Sequence, residues 1–252
     1  MDTFYYNEFG TYLRSIFGCK VQKITIDAGF TCPNRDGKVG RGGCTYCNNQ
    51  TFNPAYCHRH LPVREQMIEG ISFFAHKYPT MRYLAYFQAY TNTYDSLDKL
   101  KEKYEEALEV DGCVGIVIGT RPDCMPEELL DYLQELSQRT FVLVEYGIES
   151  TDDTTLLRIN RGHDYACAAD AVKRTAARGI PVGAHIILGL PGEDRDALMH
   201  QASILSQLPI TTLKLHQLQL IRGTRMAKEY EESPDDFSLF ALDDYIETVI
   251  DY

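Results

Sequence analysis

The chain has 252 residues, of which 44% are hydrophobic and 24% charged, proportions that support one sizeable core and exclude disorder for the bulk of it. Lys and Arg number 25 against 36 Asp and Glu, a formal charge of −11, which weighs against a general binder of nucleic acid or anionic membrane. No apolar run approaches the roughly 18 to 20 residues of a membrane span, and the opening MDTFYYNEFGTYLR lacks the regions of a signal peptide, so the expected compartment is cytoplasmic, with no membrane partner.

Residues 1–20 read as an N-terminal extension. Six β-branched or apolar runs bounded by polar or glycine-containing loops then predict strands at 21–27, 82–88, 113–119, 140–147, 180–188 and 211–219. Helical patterns at 63–77, 96–110, 126–138, 165–178 and 194–207 fall between them, with Pro126 as a first-turn signal and Gly179 as a stop. This alternation predicts an α/β fold with a parallel sheet and outer helices. Six units are too few for a closed eight-stranded barrel but fit a partial (β/α)6 TIM-like barrel over 21–228, with its site at the carboxyl ends of the strands. A doubly wound sheet would bring the same loops to that edge. Residues 229–252 form an acidic C-terminal segment, and the amphipathic pattern at 242–252 has no stop signal, so it is expected to be cut short of a longer chain.

The cysteine loop follows the first strand. Of eight cysteines, Cys32, Cys44 and Cys47 form a C-x11-C-x2-C array whose spacer is rich in Gly and charge, flexible enough to wrap a metal centre. A zinc knuckle would use Cys44, Cys47, Cys57 and His60. A redox dithiol would use Cys44 and Cys47 alone. An iron–sulfur cluster on three thiolates would leave one iron open to a small molecule. Spacing does not choose among the three.

Seven motifs stand in order at successive strand ends: CPNRDGKVGRGGCTYC, YFQAYTNTY, IGTRPDC, EYGIES, INRGHD, HIILGLPGED and LKLHQLQLIRGT. Together they resemble a radical S-adenosylmethionine (SAM) enzyme of the YhcC type, in the group that contains the Elongator catalytic subunit. The long x11 spacer departs from the x3 of many radical SAM families and agrees with this subgroup. The resemblance implies a [4Fe–4S] cluster on Cys32, Cys44 and Cys47, SAM chelated to the open iron, and cleavage to a 5′-deoxyadenosyl radical that takes a hydrogen atom from substrate. It further implies Tyr46 near the adenine, Gln88 near the methionine amino group, Glu149 and Ser150 near the ribose, Arg161 near the SAM carboxylate, and the backbone of Ile187 and Gly189 at the adenine edge. It also implies an electron donor such as flavodoxin or ferredoxin.

Each of these residues has a plainer reading. Tyr46 can pack, Gln88 can cap a strand, Glu149 can sit on the surface, Arg161 can pair with Asp164, and Gly189 can serve the turn. Cys124 in TRPDC is a candidate for meeting substrate or a radical intermediate, with a buried structural thiol as the alternative. Cys57, His58 and His60 read as a solvated loop or an auxiliary metal site. Lys214 and His216 point to the barrel mouth only if the sixth strand keeps its register.

The family points to tRNA as partner and to remodelling of a wobble-uridine C5 side chain, carboxymethylaminomethyl toward aminomethyl. A small metabolite, or a non-catalytic zinc or iron–sulfur protein, remains the alternative. Arg35, Lys38, Arg41, Arg59, Arg64, Lys173, Arg174 and Arg178 are the basic residues offered to a phosphate backbone, and Tyr86, Phe87 and Tyr90 are offered as base-stacking rings with core packing as the rival. The charge is uneven: no Lys or Arg follows Lys228, and without the nine acids beyond it residues 1–228 hold 25 basic and 27 acidic residues, a net of −2.

Overall fold

A computed structural model describes residues 6–48, 51, 53–75 and 80–252. Six strands, β1 (Lys20–Ile26), β2 (Met81–Phe87), β3 (Cys113–Thr120), β4 (Phe141–Glu149), β5 (Val182–Leu188) and β6 (Thr212–Gln217), pair in sequence order. Every neighbouring pair is parallel. With the connecting helices outside, the sheet is a partial (β/α)6 TIM-like barrel, as the alternation predicts.

The helices are α1 (Phe9–Phe17), α2 (Pro33–Asp36), α3 (Val63–Ala75), α4 (Leu97–Leu108), α5 (Glu127–Ser137), α6 (Asp153–Arg158), α7 (Tyr165–Ala177), α8 (Arg195–Leu205), α9 (Arg225–Glu232) and α10 (Leu242–Asp251). The expected end of α3 at Lys77 lies outside the described residues. Three helices begin at an aspartate: the carboxylates of Asp152, Asp164 and Asp194 accept from the amides of Thr155, Cys167 and Ala197, caps worth about 1 kcal/mol each. Asp164 is thereby engaged at the start of α7 and does not pair with Arg161. Among the described residues no helix is long and apolar enough to cross a membrane.

The two faces of the sheet pack differently. Outward residues such as Ile24, Phe87, Ile118, Val144 and Ile186 join Met67, Tyr104, Leu133 and Val172 of the outer helices in one large core. Inward, Leu84, Tyr86, Val117 and Leu143 pack against Leu13 of α1, with Phe9, Tyr12 and Phe17 at its edge. Residues 9–17 of the expected N-terminal extension therefore fill part of the barrel interior. The remaining inward positions are polar, and they lead to the site.

Candidate active site at the carboxyl edge of the sheet

The cysteine loop is held by backbone hydrogen bonds and by a second loop far away in sequence. Pro33 opens α2 and Gly37, at φ 98°, ends it, a left-handed conformation that glycine adopts without strain. Gly43 N donates to Asn34 O at 2.8 Å, and Arg35 Nη2 donates to Cys47 O at 2.9 Å. From the loop after α6, Asn160 Nδ2 donates to Gly43 O at 2.8 Å, while Asn34 Nδ2 donates to Asn160 O at 2.5 Å. Thr45 N donates to Ile159 O at 2.9 Å, and Thr45 O accepts from Met226 N of α9 at 3.0 Å. INRGHD is thus the clamp that shapes the cysteine loop. Asn34 and Asn160 were not singled out from sequence, because the partner of each lies about 120 residues away along the chain.

Cys32, Cys44 and Cys47 line one cavity of about 920 Å³ including its mouth, together with Tyr46, Gln88, Glu149 and Arg161. Ile187 lines an adjoining cavity that shares Tyr46, Cys47, Gln88 and Glu149 with the first. Glu149 is aimed there by local distortion: the β4–β5 register shifts between Gly147 and Glu149, and Glu149 has φ 72°. Tyr90, on the same cavity wall, has φ 63°. Left-handed backbone at a non-glycine residue costs about 1–3 kcal/mol and concentrates at functional sites, as bulges do.

Arg161 is buried between these groups. Its Nη1 stands 3.5 Å from Cys44 Sγ, its Nη2 donates to Gly147 O, and Glu149 Oε1 lies 3.6 Å away. Gly147 makes the room, since a β-carbon there would meet Arg161 Nη2 at 2.7 Å and Glu149 Oε1 at 2.4 Å. Among the described residues Arg161 Nε is buried with no hydrogen-bond partner. Asn34 Nδ2 reaches Cys44 Sγ at 3.6 Å.

Other expected residues lie elsewhere. Ser150 is buried away from the cavity, its hydroxyl donating to Glu193 and accepting from Asp152 N at 3.0 Å, where burial pushes the Glu193 carboxyl up to about 7. Gly189, at φ 88°, sits under Phe240, whose ring would be 3.1 Å from a β-carbon. Cys124 lines a separate pocket with Thr93, Tyr94 and Cys167. Burial and the Asp123 carboxylate push its thiol up to about 12, so it is not ionised at neutral pH, and Thr31 and Pro33, on either side of Cys32, line the same pocket. Cys124→Ser is expected to change SAM cleavage less than about twofold, as for a substitution away from the reacting groups; a 5′-deoxyadenosine assay showing a tenfold fall would return it to the site.

Phe87 belongs to the outer core against Tyr104, ring centroids 5.1 Å apart, and cannot stack a base. Arg174 and Arg178 are paired with Glu127, Asp170 and Asp131, which removes two cations from the expected basic surface. Arg59 donates to Gly29 O and Phe30 O. Cys57 is buried in the outer core, and His58 stacks on His60 with centroids 5.5 Å apart. Cys57 lies in the outer core and lines a pocket with His60, whereas Cys44 and Cys47 line the thiol cavity, so the four residues of the zinc knuckle are not brought together. A zinc ion would draw its sulfurs to about 2.3 Å. Three thiols spread around the wall of one large cavity suit a bulkier group.

Beneath the thiols the inner wall carries a polar cluster that sequence reading missed. On β4, Glu145 takes Lys23 of β1 on Oε1 and His185 of β5 on Oε2, the latter at 3.0 Å. Gly183 leaves space for it, since a β-carbon there would stand 2.8 Å from Glu145 Cγ. Burial alone would raise the Glu145 carboxyl; the His185 hydrogen bond and the Lys23 charge outweigh it and hold the group well below the usual carboxylate range. Lys214 and His216 line the same cavity, so β6 has the register that points both inward.

A carboxyl depressed in the folded state contributes stability above its unfolded pKa of about 4 and loses it as pH falls toward the folded value. Glu145→Gln is therefore expected to cost about 2 kcal/mol at pH 7, with the gap from wild type narrowing below pH of about 4. His216 is pushed down to about 4 chiefly by burial, and the Glu145 charge opposes that lowering, so the comparison is made in a His216→Gln background, where that contribution is absent. Urea midpoints across pH check this, and a pH-independent gap refutes it.

A family profile described as the Radical SAM superfamily matches residues 32–202. The chain belongs to that superfamily. YtqA of Bacillus subtilis (strain 168) is 42% identical over 246 residues, 98% of this chain and 76% of YtqA. YhcC of Escherichia coli (strain K12) is 40% identical over 226 residues, 89% of this chain and 72% of YhcC. A tRNA uridine(34) acetyltransferase of Dehalococcoides mccartyi (strain CBDB1) is 28% identical over 141 residues, 54% of this chain and 29% of that protein. Elongator complex protein 3 of Schizosaccharomyces pombe (strain 972 / ATCC 24843) is 31% identical over 125 residues, 48% of this chain and 22% of that protein. The structure of Methanocaldococcus infernus Elp3 superposes with a TM-score of 0.65 at 17% identity, over 91% of this chain and 52% of that one. The chain thus spans about half of that structure. It is a radical SAM protein of the YhcC type, and its cofactors are a [4Fe–4S] cluster and SAM.

Proposed function

We propose that Cys32, Cys44 and Cys47 hold the cluster, that SAM lies beside it between Tyr46, Gln88, Glu149 and Arg161 with Ile187 at its edge, and that the enzyme modifies the C5 side chain of a tRNA wobble uridine, carboxymethylaminomethyl toward aminomethyl. The observation that carries the cofactor part is the single cavity walled by three thiols, with the partnerless Arg161 Nε beside them. When bound, the reduced cluster supplies the electron that splits SAM into methionine and a 5′-deoxyadenosyl radical.

The chain's own residues bind and orient. The Arg161 guanidinium offers its free N–H to the SAM carboxylate, Gln88 meets the methionine amino group, and Glu149, held by its bulge, meets the ribose hydroxyls. Tyr46 packs on the adenine. Cys44, Arg161 and Asn34 are buried, and the clamp of Asn160 on Gly43 fixes the cysteine loop; a site shut off from water protects a reactive intermediate from side reactions. Ser150 and Gly189 support this site from outside. The enzyme works in the cytoplasm with a one-electron donor such as flavodoxin or ferredoxin.

The tRNA part is supported by the names of two partial relatives, the tRNA uridine(34) acetyltransferase and Elongator complex protein 3. Reduced enzyme incubated with tRNA carrying carboxymethylaminomethyluridine, followed by nucleoside mass spectrometry, tests it. Conversion to the aminomethyl form is expected. A small metabolite is the second reading, favoured by the neutralisation of Arg174 and Arg178; an unchanged wobble nucleoside with SAM still cleaved selects it.

A further inference from the structure

We infer that Lys214, with His216 and the Tyr86 phenol beside it, forms an anion subsite on the inner wall of the barrel that holds the oxyanion of the substrate, a carboxylate or a phosphate. The inference uses the proposed function only in placing substrate in this cavity.

The charge count of the inner wall carries it. Two ammonium groups, Lys23 and Lys214, approach the Tyr86 ring, at 4.4 and 5.9 Å from its centroid. Glu145 is the carboxylate of this wall, and both of its oxygens are taken, Oε1 by Lys23 and Oε2 by His185. Among the described residues no carboxylate pairs with Lys214. The wall therefore holds one positive charge that the protein does not neutralise, and Lys23 feels it: burial lowers its pKa, and Lys214 adds to that lowering against the pull of Glu145. Like charges near a low-dielectric surface are unfavourable until an anion sits between or beside them.

The space is there as well. Lys214 lines both the thiol cavity and a second cavity of about 680 Å³ that reaches Lys23, Tyr86 and Glu145. His216, one step along β6 on the same face, brings its ring to 5.4 Å from that of His185. Burial and the Glu145 charge hold the Tyr86 phenol protonated, so its hydroxyl remains a donor. Lys214 is exposed on the edge strand β6, open to an anion that enters the cavity, and its ammonium, an imidazole and a phenol on one wall form a donor set for an oxyanion.

Isothermal titration of the cluster-loaded, SAM-bound protein with uridine, 5-carboxymethyluridine, uridine 5′-monophosphate and succinate tests the subsite. At least one anion-bearing nucleoside should bind about tenfold tighter than uridine, the scale of one charge-assisted hydrogen bond. Preference for the carboxymethyl compound identifies a carboxylate as the source of the oxyanion, and preference for the monophosphate identifies a phosphate. Lys214→Met should reduce the preference to less than about twofold, and Lys214→Arg should keep it, which separates lost charge from lost fold. Succinate binding that depends on Lys214, with neither nucleoside bound, upholds the subsite and defeats the uridine reading. Equal or absent binding of every anion in the wild type, or a preference that survives Lys214→Met, overturns the inference.

Discussion

Cys44→Ala is expected to leave a folded chain that forms no 5′-deoxyadenosine. The shape of the loop does not depend on the thiol: Gly43 O and the Thr45 amide and carbonyl are gripped by Asn160, Ile159 and Met226 through backbone atoms. The side chain contributes to none of the three apolar clusters, and its contacts are two long N–H···S approaches, from Asn34 at 3.6 Å and Arg161 at 3.5 Å. Its removal should therefore cost about 1 kcal/mol of stability. Activity should fall at least about 10³-fold, more than roughly 4 kcal/mol of barrier, because a cluster short of one protein ligand is lost or misplaced. Iron and sulfide content, the brown chromophore and deoxyadenosine yield are the readouts. Deoxyadenosine formation above a tenth of the wild-type rate would refute the ligand assignment.

Arg161→Met should be the most destabilising single change at the site. The guanidinium satisfies Gly147 O and balances Glu149, while the backbone carbonyl of the same residue accepts from the largely buried Arg121 at 2.8 Å. Methionine of similar length removes the charge but not the bulk, leaving a carboxylate in a strained, bulged strand end without its counterion. Breaking one side of a buried pair costs about 3–5 kcal/mol, which for a chain of this size is a fall in Tm of roughly 6–20 °C. Pairing it with Glu149→Gln should recover part of the loss, since the orphaned charge goes too. A loss below about 1 kcal/mol in the single variant would mean that the pair is solvated and that Glu149 is not held as described. Arg161→Lys should not rescue, because an ammonium cannot meet Gly147 O, Glu149 and a ligand at once.

The strands were legible because each is an apolar or β-branched run, most completely in β3 to β5; the same property hid the inner wall. A parallel strand covered on both faces does not alternate polar and apolar residues, so Glu145 in FVLVEYGIE gives no sign of which way it faces, or that Lys23 and His185 meet it. The helix α1 was missed because its residues stand before the first strand, outside the alternating pattern, with no side-chain cap at Glu8. The three cysteines were singled out by their spacing and Tyr46, Gln88, Glu149 and Arg161 through motif order, and the seven share a cavity. Ser150 and Gly189 were assigned from the same motifs, yet the bulge before Glu149 turns Ser150 toward Glu193, and Phe240 covers Gly189. Those displacements depend on distant packing that local sequence does not encode. The pairing of Arg174 and Arg178 with Glu127 and Asp131 was invisible for the same reason, since those acids sit on α5, one unit earlier; only Asp170, four residues before Arg174 on α7, is local.

The two faces of the sheet answer to different pressures. Outward residues are interlocked with five helices, so any change there is felt across the whole core. Inward, Lys23, Glu145, His185, Lys214 and His216 meet one another, the Phe9 and Tyr86 rings and the cavities, on four strands whose positions the outer layer already fixes. Exchanging one of them alters what the barrel holds while the seam between sheet and helices stays intact. The interior of this chain is accordingly its most rewritable surface, where a lineage can acquire a new ligand without first inventing a new fold.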